Sequence, residues 1–254
     1  MATFDLSEKV AVVTGAGSGI GRAIAMQLAK CGARVFCVDV VEKGAEITAQ
    51  TISQAGQIGK ALVADISDNQ QCEALSRQVA DSCESVDVLV NNAAIIRRGR
   101  ISDPSALDDW RATIKVDLDG PFLMTRAFLG LLRKNGGASV VNLGSTSSFA
   151  HAQNSAAYTA AKFGVAGLTK ALAWELGPMG IRVNGVAPGM VETAMNADEL
   201  RRDPMLRQRF LTRAPLARLG NPADIAEAVS FLASNQAAWV TGVMLPVDGG
   251  FLTI

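Results

Sequence analysis

A doubly wound α/β fold, one mostly parallel sheet with helices on both faces, is the fold class this sequence predicts. Three observations carry that prediction. Short β-branched runs alternate with longer helical stretches along the whole chain. Several of the short runs are near-continuous Val and Ile, as a strand requires when both of its faces are buried. The residues suited to chemistry fall just after those runs, where open parallel sheets bind their ligands.

The first strand is read at residues 10–14, VAVVT, an apolar run of β-formers ended by Gly15. A helix follows at 20–30, and a second strand, 34–38, ends at Asp39. Residues 42–55 read as helix and 58–64 as the third strand. The next helix, 68–82, begins at Asp68, whose carboxylate can accept from the first unpaired N–H groups. The fourth strand, 86–90, stops at Asn91 and Asn92, and 104–134 is a long helical region with Pro121 inside it. The fifth strand is 139–143, followed by an alanine-rich helix at 156–177. The sixth, 181–187, is stopped by Pro188 and Gly189. Residues 191–212 form a polar insertion, 222–234 a helix with Pro222 in its first turn, and 242–247 the seventh strand. With no repeat, low-complexity tract or linker in view, the expectation is a single domain over 1–254 that carries a substrate lid at about 190–213.

Composition narrows the function. Hydrophobic residues make up 49% and charged residues 19%, so a packed core is expected rather than disorder. Lys plus Arg total 24 and Asp plus Glu total 24, so no net charge draws the chain to nucleic acid or to an anionic membrane. Cys31, Cys37, Cys72 and Cys83 form no CxxC pair and there is one histidine, which argues against structural zinc or a disulfide framework. A reducing, cytoplasmic setting is expected. The first residues, MATFDLSEKVAVVTGAG, show no secretory signal, and no apolar run reaches bilayer-spanning length.

The rule that sites lie beyond the carboxyl ends of strands selects residues 15–21, Asp39, Asp65, residues 91–94, Ser145 and residues 188–193. Residues 14–21 read TGAGSGIG. Glycine lets the backbone turn tightly and approach a pyrophosphate, which the N–H groups opening the next helix can bind. Gly15, Ser18, Gly19, Ile20 and Gly21 are the candidates there, in a TGxxxGxG pattern rather than the common GxGxxG. Asp39 can accept from the hydroxyls of an adenosine ribose and would repel a 2′-phosphate, and neither Ser18 nor Val40 supplies a cation to offset it. NAD is therefore the expected cofactor. Asp65 can accept from the adenine amino group, or be simply solvated, and Ile66 can pack on the ring.

These residues, with NNAA at 91–94, Ser145, YTAAK at 158–162, RVNGVAPG at 182–189, Thr193 and the terminal VTGVMLPVDGG, resemble the short-chain dehydrogenase/reductase family over essentially the whole length. The resemblance implies a Rossmann-like single domain with seven parallel strands, a homotetramer or homodimer, and transfer of the nicotinamide pro-S hydride. It also places Asn91, Ala93, Pro188, Gly189, Val191 and Thr193, together with Tyr158 and Lys162, against the cofactor. Ala94 stands where many members have glycine.

Tyr158 and Lys162 are four residues apart, hence on one helix face. A phenol is a poor base near neutral pH, and an ammonium beside it favours the phenolate, so the pair can work as a general acid/base. Ser145 follows the fifth strand, and its hydroxyl can hydrogen-bond a substrate oxygen as charge develops. Ser147 and Ser148 are weaker choices, off that spacing. The family gives Tyr158 and Ser145 these same jobs, and has Lys162 hold the nicotinamide ribose as well. Asp117, in KVDLDGPF, stands where the family has an asparagine that helps bind a water linked to the lysine. Pro121 lacks an N–H, so the carbonyl of Asp117 is left to hold such a water, while the carboxylate adds a negative charge toward Lys162.

Arg97, His151, Gln153, Asn154, Met190 and Glu192 are expected to rim the substrate pocket, a mixture that suits a small hydroxylated or acidic molecule. Residues 95–98, IIRR, resemble the same stretch in sugar-acid oxidoreductases, and Arg97 or Arg98 can meet a carboxylate or remain solvated. The expected reaction is NAD(H)-dependent interconversion of a secondary alcohol and a ketone in a polyol, sugar or sugar acid. The alternatives are an apolar cyclic alcohol, diketone or hydroxysteroid, with Ile95, Ile96, Phe149, Met190 and Trp239 as an apolar lining, and a 3-oxoacyl thioester. An inactive dinucleotide-binding scaffold is the reading from another class, and its only foothold is Asp117. The small face of the 156–174 helix, Ala160, Gly164, Gly167 and Ala171, can pack on the chain itself or on a partner subunit.

Overall fold

The structure, a computed structural model, describes residues 4–193 and 204–253. Seven parallel strands form one sheet: β1 (Val10–Thr14), β2 (Arg34–Asp39), β3 (Gly59–Val63), β4 (Val88–Asn91), β5 (Ser139–Leu143), β6 (Arg182–Pro188) and β7 (Met244–Val247). Their order is β3-β2-β1-β4-β5-β6-β7, so the chain reverses direction across the sheet between β1 and β4. Ala11 pairs with Val35 on one side and Val88 on the other, which puts the ends of β1 and β4 side by side at that reversal. Ligands bind at this point in doubly wound sheets.

Helices cover both faces. They are α1 (Gly19–Lys30), α2 (Glu42–Gln54), α3 (Asn69–Ala80), α4 (Ala106–Ile114), α5 (Gly120–Leu132), α6 (Ala156–Leu176), α7 (Pro204–Arg213) and α8 (Pro222–Ala233). Alternation along β1 assigns the layers: Val13 packs with α1, α2 and α8, and Val12 with α3, α5 and α6. Every residue of β4 and β5 is buried, as continuous apolar strands between two helical layers should be. Among the described residues no helix is long and apolar enough to cross a membrane.

The expected elements are present, with ends moved by one or two residues. Asp68 caps α3, accepting from the N–H groups of Gln70 at 2.8 Å and Gln71 at 3.3 Å. The long middle helix is the main departure. It is α4 and α5 joined through a π-helical turn, Lys115–Asp119, in which the Gly120 N–H reaches the Lys115 carbonyl five residues back. Pro121 has no N–H to continue the ordinary ladder, and a widened turn absorbs the mismatch. The polar insertion ends in α7, and its residues 194–203 lie outside the described residues.

Candidate active site

The glycine loop after β1 is built to tolerate no side chains. Gly15 and Gly19 have φ of +64° and +51°, in the left-handed region that favours glycine. A Cβ on Gly21 would lie 2.0 Å from the Gly15 carbonyl oxygen, and one on Gly15 would lie 2.8 Å from the Cα of Ala93. Thr14 and Asn92 hold this loop against the end of β4. The Thr14 hydroxyl accepts from the N–H groups of Asn92 at 3.0 Å and Ala93 at 3.1 Å, and the Asn92 amide donates to the Thr14 carbonyl at 2.8 Å. Ser18 is exposed at the start of α1 and its side chain makes no cap bond there. The loop after β6 comes to the same place, because Thr193 Cγ2 would be 3.5 Å from a Cβ on Gly19.

Asp39 ends β2 beside this loop. Its Oδ2 accepts from the Gly17 N–H at 2.8 Å and its Oδ1 from the Val41 N–H at 2.9 Å, so two amides fix the carboxylate's direction. Asp65 accepts from the Ser67 N–H at 2.9 Å, which sets its own turn. A bare glycine cradle, an opening helix and an acceptor at the end of the second strand suit a dinucleotide.

Four expected contacts need correction. Ile66 is 4% exposed, its side chain turned into the core where a Cβ on Gly120 would meet it at 2.6 Å and its carbonyl accepting from the Cys72 thiol at 3.3 Å. The Asn91 amide is 2% exposed and donates inside the protein to Asn142 at 2.8 Å and Thr125 at 3.2 Å. It ties β4 to β5 and α5 rather than reaching outward, and Asn92 does the work at the loop. Val191 is 5% exposed and packs in the core, bridging Gly220. Trp239 precedes β7, at the amino end of the sheet, and is fully exposed, so it lines no pocket at the carboxyl ends.

The catalytic candidates converge from three elements. Tyr158 is in the first turn of α6 and is half-buried, and Lys162 lies one turn further on the same face. The Lys162 side chain is 3% exposed, with Nζ 3.1 Å from the carbonyl of Leu143, the last residue of β5, and 5.4 Å from the centre of the Tyr158 ring. Ser145 follows that strand by two residues and caps a short 3₁₀ turn, its Oγ accepting from the Ser147 N–H at 3.1 Å. Its own hydroxyl proton remains available to another acceptor. Ser147 and Ser148 are buried, and Ser148 donates to the Lys162 carbonyl at 2.8 Å, so neither competes for a substrate.

Asp117 sits in the π turn with its side chain wholly buried. Its Oδ1 accepts from the Ile95 N–H at 2.8 Å, and its Oδ2 is 3.4 Å from Lys162 Nζ, an ion pair out of line for a hydrogen bond. Burial pushes this carboxyl above its ordinary range, while the Lys162 ammonium and the Ile95 amide pull it back down.

The rim is polar. His151, Gln153 and Asn154 are exposed, and the Asn154 carbonyl accepts from the Gly99 N–H at 2.8 Å, which joins their loop to the 95–99 segment. Gln153 accepts from Arg209 of α7 at 3.4 Å. Arg97 pairs with Asp109 of α4 at 3.0 Å, so it meets a substrate carboxylate only by leaving that partner. Met190 lines a cavity of about 730 Å³ with Phe210 and Phe251, and Glu192 lines one of about 570 Å³ with Arg207 and Leu211. Neither cavity is lined by Ser145, Tyr158 or Lys162, so both residues also serve the α7 side.

The family profile described as enoyl-(acyl carrier protein) reductase matches residues 15–252. The chain belongs to the short-chain dehydrogenase/reductase family. It is 38% identical to a 3-oxoacyl-[acyl-carrier-protein] reductase of Vibrio harveyi, over 98% of this chain and 100% of the relative. It is 39% identical to the L-tagatose-forming galactitol 2-dehydrogenase of Cereibacter sphaeroides, over 98% and 96%. Among solved structures, a protein of Beutenbergia cavernae assigned as an NAD(P)-dependent gluconate 5-dehydrogenase, with NADP bound at low occupancy, is 40% identical. That comparison covers 99% of each chain at a TM-score of 0.93.

Two features of this site were not read from the sequence. Thr14 and Asn92 were given no role of their own but had a signal, since each lies inside a chosen motif, at 14–21 and 91–94, with a side chain that can bond main chain. Arg22 had little. It donates to the Gly17 carbonyl and to the Thr48 hydroxyl, so a cation from α1 lies against the loop that holds Asp39. A helix residue just past the motif, in the first turn of α1, carries no mark of which way it folds back.

Proposed function

We propose that this protein is an NAD(H)-dependent dehydrogenase that interconverts a secondary alcohol and its ketone in a polyol, sugar or sugar acid. The observation that carries the chemistry is the Tyr158–Lys162 pair on one face of α6, with the Lys162 ammonium buried and directed by the Leu143 carbonyl and Asp117. The nicotinamide, when bound, supplies or takes the hydride. Tyr158 takes the proton of the alcohol in oxidation and returns it in reduction. Ser145 donates its hydroxyl proton to the substrate oxygen and holds it beside Tyr158. Lys162 keeps positive charge next to the phenol and holds the ribose hydroxyls.

The cofactor residues are Gly15, Ser18, Gly19, Gly21, Asp39, Asp65, Ala93, Pro188, Gly189 and Thr193, with main chain alone from Ile66 and Val191. The NAD preference rests on Asp39, whose fixed carboxylate opposes a 2′-phosphate. The bound NADP of the gluconate 5-dehydrogenase relative and the nearby Arg22 are the considerations on the other side.

The polyol and sugar-acid reading rests on the exposed His151, Gln153 and Asn154 and on the galactitol and gluconate relatives. A 3-oxoacyl thioester is the second reading, favoured by the reductase from Vibrio harveyi. We read the chain as one cytoplasmic domain whose segment at about 190–213, including α7, closes over the substrate. A homotetramer or homodimer is expected, and the exposed Phe163 and Trp174 and the open Gly167 on α6 suit a subunit contact. The test is NAD reduction by purified protein with hexitols, aldonates, cyclic alcohols and hydroxysteroids, and NADPH oxidation with a 3-oxoacyl thioester. Turnover of hexitols or aldonates supports the reading, and turnover only of apolar alcohols or the thioester defeats it.

A further inference from the structure

A second charge is sealed into the catalytic centre. Asp117 and Lys162 lie 3.4 Å apart with side-chain exposures of 0% and 3%, so salt and solvent screen their fields little. The family's asparagine would leave the Lys162 ammonium uncompensated, whereas here a carboxylate faces it. The charged groups on neighbouring elements are engaged elsewhere or exposed. On α4, Asp109 pairs with Arg97, and Asp108 is 4.0 Å from Arg111. On α5, Arg126 binds Asn69 and lies near Glu73. Lys115 and Asp119 flank Asp117 on the exposed side of the turn, Lys170 and Glu175 are exposed further along α6, and His151 is exposed on the rim.

We propose that Asp117 sets the pH range of the reaction by offsetting the field of Lys162 at Tyr158. An ammonium alone favours the phenolate, and an ammonium paired with a carboxylate favours it less. The site therefore needs a higher pH to form its base than the same site with asparagine. Asp117 contacts Lys162 and the Ile95 main chain, so it is a positioning residue acting through Lys162. The proposal rests on the reading of Tyr158 as the acid/base.

Tyr158 is the sole tyrosine of the chain, so near-ultraviolet tyrosinate absorbance reports this group alone, without cofactor or turnover. Asp117→Asn removes the charge and keeps the shape. Asp117→Ser is a second variant, with a hydroxyl oxygen left to accept from the Ile95 amide. In both, the titration midpoint should fall by about one pH unit or more, and the acidic limb of kcat/KM for alcohol oxidation should fall with it. An unchanged or higher midpoint overturns the proposal. A lowered midpoint with an unmoved rate profile overturns the acid/base reading on which it rests, and with it the proposal. A uniform loss of rate at every pH, with no shift, shows a purely structural role and also overturns it.

Discussion

Gly164 and Leu118 are in contact only because Gly164 has no side chain: a Cβ there would lie 2.9 Å from both Leu118 methyl carbons. This is how the π turn lies down on α6, and it sets Asp117 opposite Lys162, two residues from Gly164. The face of small residues in the sequence thus divides. Gly164 packs on the chain itself, and a Cβ on Gly167 would meet nothing within 4 Å.

Gly164→Ala should cost little, because the leucine end can yield and alanine favours the helix. Gly164→Val should push the turn away. A loss of about 1–3 kcal/mol of stability is expected, with kcat lowered about tenfold or more. Chemical denaturation and steady-state rates of the two variants check this, and equal behaviour of the alanine and valine variants would refute it.

Asp117 should leave a mark on stability with a definite sign. Burial raises its carboxyl above the ordinary value of 3.8. The native chain then holds that proton more tightly than the unfolded chain does. The stability so gained is fully present below the unfolded value and lost as pH rises through the raised one. Asp117→Asn has no such loss, so its melting temperature relative to wild type should rise as pH increases above the ordinary carboxyl value of 3.8. A difference that falls over the same range would mean that attraction to Lys162 outweighs burial.

Cofactor preference follows from Asp39. We expect kcat/KM to favour NAD over NADP by about a hundredfold or more, or ~2.7 kcal/mol. Asp39→Ser should narrow the ratio. If the two cofactors prove equal, Arg22 is the cation to examine, since its guanidinium already reaches the Gly17 carbonyl. Arg22→Gln should then weaken NADP alone.

The sheet was legible because β-branched runs alternate with amphipathic stretches, and each strand end carries a residue that stops it, such as Gly15, Asp39 or Pro188. Tyr158 and Lys162 were legible because a four-residue spacing on a helix fixes a shared face. What the sequence hid was side-chain direction at strand ends. Asn91 and Asn92 are adjacent and identical, yet one points into the core and the other at the loop, because successive residues of a strand face opposite sides. Ile66 lies past the end of β3, in the turn set by Asp65, and its inward direction had no periodic mark in the sequence. The missing N–H of Pro121 marked the middle helix for a break, but the π turn needed the packing on α6 to be seen.

The most direct test of the account is the rate of NAD reduction by a secondary alcohol in wild type and Tyr158→Phe, with cofactor affinity measured alongside by nicotinamide fluorescence. The phenylalanine keeps the ring and removes the proton carrier, so we expect turnover to drop by about a thousandfold or more while NADH binding stays within about threefold. Near-normal turnover in Tyr158→Phe, or no alcohol oxidised by the wild type at any pH while NADH still binds, would contradict it.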